Sequence, residues 1–286
     1  MSKRISRSIC PVIWANFDSW IRSPRTVLLF VFLSAICLIE VRHYGRIPSY
    51  LEYGLHWDEL CAYCSYSGCD IKYTSIILLI MMSEVPKKLS YQYQHLMRLG
   101  RTKWINAQIL YCILSVIAVQ VFILLFVSLG LSSFGIHETG WSTESVIADG
   151  IATEDDILIP LWIQEKFSPL ETTLICQIPI FLFWSEMILI VLLTGLIFSS
   201  SIGIILYTFI IMSNIIIMVE AFDPRLFVMN YVTVATIAKS VPYGVPPFDY
   251  LLSIILKYAI IILVTIIVIH HVVKKKDINY SSMKKE

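Results

Sequence analysis

The chain has 286 residues, 57% of them hydrophobic and only 15% charged, with a net charge of +1 and a mean hydropathy of +0.74. A soluble domain of this length is near half apolar and about a quarter charged, so a soluble enzyme or a nucleic-acid-binding domain is excluded. The apolar excess falls in blocks, as it does in membrane-spanning helices.

The first element is CPVIWANFDSWIR, residues 10–22. At helical spacing Cys10, Ile13, Trp14, Phe17, Trp20 and Ile21 share an arc of roughly 120°, with Asn16, Asp18, Ser19 and Arg22 on the other side. This predicts an amphipathic helix in the membrane interface, with tryptophan at headgroup depth. Pro11 suits its first turn, and Ser23-Pro24 ends it. It serves either as a plain surface anchor or as a lever that moves with the spans. Span one covers 26–41 and is read as an uncleaved anchor, because the stretch before it is too long for a signal peptide. Glu40 sits at its outer end, where a charge needs no special role.

The next stretch reads HWDELCAYCSYSGC. By residue type His56, Cys61, Cys64 and Cys69 could form a zinc set, and the cysteines could pair on an extracytoplasmic face. The irregular, aromatic, membrane-adjacent setting favours unpaired thiols, so no metal site is expected. Cys10, Cys37, Cys112 and Cys176 read as apolar packing residues. Span two covers 63–82, although only 73–82 is purely apolar and Asp70 and Lys72 lie just outside it.

Residues 83–104, SEVPKKLSYQYQHLMRLGRTKW, carry five basic residues and one acid. Pro86 can start a helix and Gly100 can end one. Leu89, Tyr93, Leu96 and Met97 fall on one face, and Lys87, Gln94 and Arg98 on the other. A short amphipathic helix over 86–99 is expected. A loop that only sets topology needs no such faces, so a docking element is favoured over a lipid-binding loop. Span three follows over 104–131. The segment 132–172 then holds eight acids, with Lys166 as its only base. Acids are tolerated outside, and such a loop could also concentrate cationic ligands. Within it ILIPLWI, residues 157–163, is apolar enough to lie on the outer leaflet or cap a pathway.

Spans four and five, 174–198 and 202–219, are joined by Ser199-Ser200-Ser201 and Gly203 in a tight helical hairpin. Glu186 lies about 12 residues into span four, roughly 18 Å deep. It is expected to line a path, tie two helices together, or sit as a hydrogen-bonded acid. A Pro-rich outer segment, 221–250, leads to span six at 251–270. There Lys257 is near enough to the surface to snorkel. Ser34 and Ala35 on span one, and Ser200, Ser201 and Gly203 on span five, offer small packing surfaces.

Fifteen of the 22 basic residues lie in three segments: 1–25, 83–104 and 274–286. Six spans put all three on one side, and the positive-inside rule makes that side cytoplasmic. The fold class is therefore an all-α polytopic membrane protein with six transmembrane helices, N-in and C-in, as one domain over 1–286.

An interface helix, six spans, a basic helical loop after span two, a very short turn after span four and a long outer segment before span six form a recognisable layout. It resembles the permease subunits of type-2 ABC transporters in bacteria, mostly exporters. The most specific piece, EVPKKLSYQYQHLMRLGRTKWINAQILY, is similar to the acid-then-basic loop with R-x-G-R of bacterial members. The resemblance implies that 86–99 is a coupling helix on a separate ATP-binding cassette subunit, with Glu84, Lys87, Lys88, Tyr93, Arg98 and Arg101 at the contact. It also implies short outer helices within 221–250 and a second permease copy or a sister permease. Glu186 and Lys257 become candidates for the translocation path. The outer loop of 132–173 is longer than the family pattern. The localisation implied is the bacterial cell membrane, multi-pass, and the substrate a peptide, lipid-like or other hydrophobic molecule moved outward.

There is no phosphate loop, no H-E-x-x-H and no G-x-S-x-G in the chain. The chain is thus expected not to be an enzyme, with ATP hydrolysis on another chain, and to need no cofactor. The alternative is a non-transporting membrane scaffold or accessory subunit whose basic faces bind only lipid and partners.

Overall fold

The computed structural model describes residues 9–46, 55–67, 71–86, 100–142, 159, 161–219 and 247–275. These residues are helical apart from turns and one isolated bridge between His56 and Ile136. Helix α1, Cys10–Ile21, has proline in its first turn. Ser23 then takes an extended conformation ahead of Pro24, as a residue before proline prefers, and α2 runs Pro24–Tyr44. Helices α3, Trp57–Ser67, and α4, Ile71–Met81, follow. Helix α5 is Arg101–Leu131, and the short α6 is Leu161–Gln164. Helix α7, Pro169–Ile197, opens with a capping box in which Ser168 and Glu171 satisfy each other's backbone N–H groups. Helices α8, Ser200–Val219, and α9, Pro247–Lys275, complete the set.

Helices α2, α5 and α7, together with the 251–275 part of α9, are long and apolar enough to cross a membrane. The chain thus has the helices of a membrane protein. Three of them exceed the expected spans. With 31, 29 and 29 residues at about 1.5 Å each, α5, α7 and α9 are long enough for the whole bilayer with its headgroup layers, about 40–45 Å. Apolar runs mark only the hydrocarbon part, so they start late and stop early.

The expected span 63–82 falls on α3 and α4, two described helices of 11 residues each. Residues 68–70, between them, lie outside the described residues. The pair nevertheless connects the two ends of the bundle. At one end Trp57 N–H donates to the Ile136 carbonyl at 3.1 Å. At the other, Glu84 pairs with Arg25 at the start of α2, 3.7 Å away. The first end also carries Asp58, Glu59 and Glu138, and is called the acidic end here. The second, reached by the segments 1–25 and 83–104, is the basic end.

Helix α7 is the central element. Of its apolar window 61% is buried, against 39% for α5, 33% for α2 and 22% for α9. It packs on α3, α4, α5, α8 and α9. Hence Phe183 through Leu189 are buried without a break on every side of the helix. The other helices each bury a stripe. Leu29, Leu33, Cys37 and Val41 of α2 recur every fourth residue, as do Ile254 and Tyr258 or Ile269 and Val273 of α9. Their other faces expose residues such as Phe32 and Ile260. Exposed apolar faces of this extent suit lipid rather than water.

Helix α1 does not use its apolar arc as the wheel suggests. Val12, Asn16 and Trp20 are buried, and Asn16, expected on the polar side, is fully so. Edge-to-face rings set this rotation. Phe17 meets Tyr111 of α5 at 5.1 Å, Trp20 meets Phe30 of α2 at 5.7 Å, and Phe30 meets Phe122 at 5.1 Å. Trp14 and Ile21 of the predicted arc stay exposed, Trp14 at 76%. Thus α1 presents one face to the bundle and a second, apolar face outward.

The hairpin turn between α7 and α8 is Phe198-Ser199 alone. Ser200, Ser201 and Gly203 already belong to α8. A Cβ on Gly203 would collide with Thr194 and Val191, so the glycine lets the two arms touch. The apolar stretch 157–163 is described at 159 and 161–163. Ile159 and Ile163 are buried in the common core, and Gln164 donates to the Ile159 carbonyl at 2.6 Å.

Candidate functional site

The polar groups of the described residues collect in three layers. At the basic end the segment 83–104 is described only at its two edges. Lys87, Lys88, Tyr93 and Arg98 lie outside the described residues, as does the expected helix 86–99 beyond Pro86. Of the expected contact set, Glu84 is paired with Arg25, and Arg101 is exposed at the start of α5. Both edges are held. Val85 is 1% exposed, and a Cβ at Gly195 of α7 would lie 2.7 Å from Pro86 Cδ and 2.8 Å from the Val85 carbonyl oxygen. Gly195 is thus the space into which the end of α4 fits. On the far edge Gly100 has φ of +81°, a left-handed conformation that favours glycine, and α5 begins at the next residue. Helix α5 runs antiparallel to α7, since Gln120 meets Gln177 and the segment after α5 meets the start of α7 through Trp141 and Phe167. Its first turn therefore lies toward the end of α7, and both edges of the basic segment return to one end of the bundle.

The middle layer is a set of interhelical hydrogen bonds. Gln120 of α5 donates to the Gln177 side chain at 2.8 Å and to its carbonyl at 2.9 Å, while Gln177 donates to Ser65 of α3 at 3.3 Å. Trp184 donates to Ser75 of α4 at 2.8 Å. Helix α7 is thereby tied to α5, α3 and α4 at successive levels. Glu186 ties it to α8, accepting a hydrogen bond from Tyr207 at 3.3 Å. Counted from Pro169, Glu186 is about 26 Å along α7, with 2% exposure. Lys257 is exposed on α9 and within electrostatic reach of Glu186. The two expected path residues thus stand on neighbouring packed helices, α7 and α9. Tyr207 was not anticipated. The only sequence signal for it is a phenol on the opposite arm of a hairpin from a carboxyl group.

The acidic end is a clasp that the sequence reading missed. Glu59, at the third position of α3, accepts from the His56 backbone N–H at 2.9 Å, half of a capping box. Its other oxygen accepts from Ser142 N–H. Asp58 accepts from Glu59 N–H and Gly140 N–H, both at 3.0 Å. The His56 Nδ1 lies 2.7 Å from the Gly140 carbonyl, which can only accept, so Nδ1 carries the hydrogen. Nε2 faces Glu138 at 3.4 Å. The segment 136–142 is thus fastened to the start of α3 by two acids that are 3% and 0% exposed. Cys61 and Cys64 are buried thiols outside any disulfide, donating to Ser128 at 3.6 Å and to Glu40 at 3.9 Å. Cys69 lies outside the described residues. Glu40 is itself buried at 8%, so it is a packed residue and not a solvated span end. Among the described residues no group of three metal-ligating side chains comes together.

Comparison with protein-family models, with curated proteins and with solved structures finds no match to this chain.

Proposed function

We propose that this chain is the membrane-spanning permease subunit of an ATP-driven transporter of the type-2 ABC class. It crosses the bacterial cell membrane six times with both termini in the cytoplasm. The exported substrate is a peptide, a lipid-like molecule or another hydrophobic compound. ATP is hydrolysed on a separate subunit, and a second copy or a sister permease completes the path. Glu186 and Lys257 are the path candidates.

The observation that carries this reading is the seating of the basic segment. One of its edges is wedged against Gly195 at the end of the central helix, and the other starts the 31-residue α5. In this reading a push on the basic segment reaches α4 and α7 through Val85 and Pro86, and α5 through its first turn. A loop that merely set topology would need no such seating.

The test is purification of the full chain from its own membranes in mild detergent, with identification of co-purifying subunits. An ATP-binding subunit is expected. Charge reversal at Arg98 and Arg101 should then abolish stimulation of ATPase activity by substrate while leaving insertion unchanged. Recovery of the intact chain without an ATP-binding subunit, under conditions that keep other ABC complexes together, favours the scaffold instead.

A further inference from the structure

One side chain in the middle of α7 does not fit the packing around it. Glu186 is 2% exposed. Its Oε1 has a single long hydrogen bond, from Tyr207, and its Oε2 has no hydrogen-bond partner among the described residues. The hydroxyl of Ser185 beside it is likewise buried without one. An ionised carboxylate can accept about four hydrogen bonds, and in hydrocarbon it needs either these or a counter-charge. A carboxylate with one long hydrogen bond falls well short of that among the described residues.

Among the described residues, two elements supply titratable groups that face this site. Helix α8 supplies Tyr207. Helix α9 supplies Lys257, within electrostatic reach of Glu186, and Tyr258, within reach of Tyr207. Phe183, about one turn before Glu186, meets the Tyr258 ring at 6.2 Å and closes the α7–α9 seam with apolar surface. Lys257 itself stands on the exposed side of α9, between exposed Leu256 and Ile260. A lysine there has two favourable arrangements. It balances a carboxylate across the seam, or it extends along the apolar surface to the headgroups.

We propose that the junction of α7, α8 and α9 is a proton-binding site, with Glu186 as the proton acceptor and Lys257 as the group that responds. In the carboxylate form Glu186 balances Lys257 across the seam. Uptake of one proton from water, onto Oε2, gives the neutral acid. The acid keeps the Tyr207 hydrogen bond but no longer balances the ammonium group. Lys257 stays protonated and swings to the headgroups, and α9 loosens from α7. The ligand is a single proton, and the device works whether or not an ATP-binding subunit is present.

The experiment uses the full chain alone in lipid nanodiscs, which separates it from the test of the permease reading. Dicyclohexylcarbodiimide, an apolar reagent, adds to protonated carboxyl groups, and mass spectrometry of peptides locates the adduct. Labelling at Glu186 is expected, rising by up to about tenfold per pH unit as the pH falls through the alkaline side of its titration. Lys257→Met should change labelling at fixed pH, because a charge within electrostatic reach of Glu186 is gone. Nitroxides at the exposed positions Leu174 of α7 and Leu252 of α9 should report a distance change with pH that Glu186→Gln removes. The proposal is overturned by absent or pH-independent labelling of Glu186, by labelling insensitive to Lys257→Met, or by a pH-dependent distance that persists in Glu186→Gln. Should Glu186→Gln fail to fold, the two labelling profiles decide.

Discussion

The acidic clasp shows how much can rest on single side chains. Glu59 satisfies two backbone N–H groups 86 positions apart in the chain, His56 and Ser142, and it is fully buried. Glu59→Ala leaves both donors unmet, a loss of about 2–4 kcal/mol. A clear drop in the thermal midpoint of the detergent-solubilised chain is the expected reading. Glu138→Gln should change that midpoint little, because the Glu138 carboxylate is 73% exposed where it meets His56. In the middle layer, Gln120→Leu removes two hydrogen bonds to Gln177. Hydrogen bonds between membrane helices are weak, averaging about 0.6 kcal/mol, so the cost should stay below about 2 kcal/mol. The sequence makes Glu186 conspicuous because a carboxyl group interrupts an apolar run. It gives no signal for Tyr207 and misplaces Glu40 and Asn16, which are buried, because burial of a polar residue at a span end or on an amphipathic helix depends on which neighbour arrives.

At the scale of elements, α1 tests the difference between periodicity and packing. Trp20 and Trp14 both belong to its apolar arc, yet one is 4% and the other 76% exposed. Trp20→Ala should cost about 3–5 kcal/mol through lost burial and ring contacts. Trp14→Ala should stay within about 0.5 kcal/mol, and the contrast is read by unfolding of the two variants side by side. The hairpin of α7 and α8 depends on Gly203. Gly203→Val forces the arms apart and should cost about 1–3 kcal/mol, seen in the same assay. Helix existence was readable throughout, since six apolar runs map onto α2, α3 with α4, α5, α7, α8 and α9. Helix ends were not, because residues in the headgroup layer carry no hydropathy signal.

For the whole molecule, the six-span arrangement makes a prediction of sidedness. A cysteine introduced as Asp149→Cys should react with a membrane-impermeant maleimide on intact cells. One introduced as Lys285→Cys should react only after permeabilisation. The reverse pattern would refute the proposed orientation. Composition alone determined that this chain is helical and suited to a membrane, because buried backbone in hydrocarbon must satisfy its own hydrogen bonds and long apolar runs leave no other element. The clustering of basic residues is what assigns three segments to one side in the proposed orientation, since charge bias acts on each loop separately. The tertiary structure alone decided that α7 is the centre, that Val85 and Pro86 are seated against Gly195, and that Tyr207 meets Glu186. Lipid tails are as apolar as the side chains themselves, so hydropathy cannot distinguish a face turned to lipid from one turned to another helix. That choice is made by close packing and by a few buried polar partners, and it exists only once the helices have met.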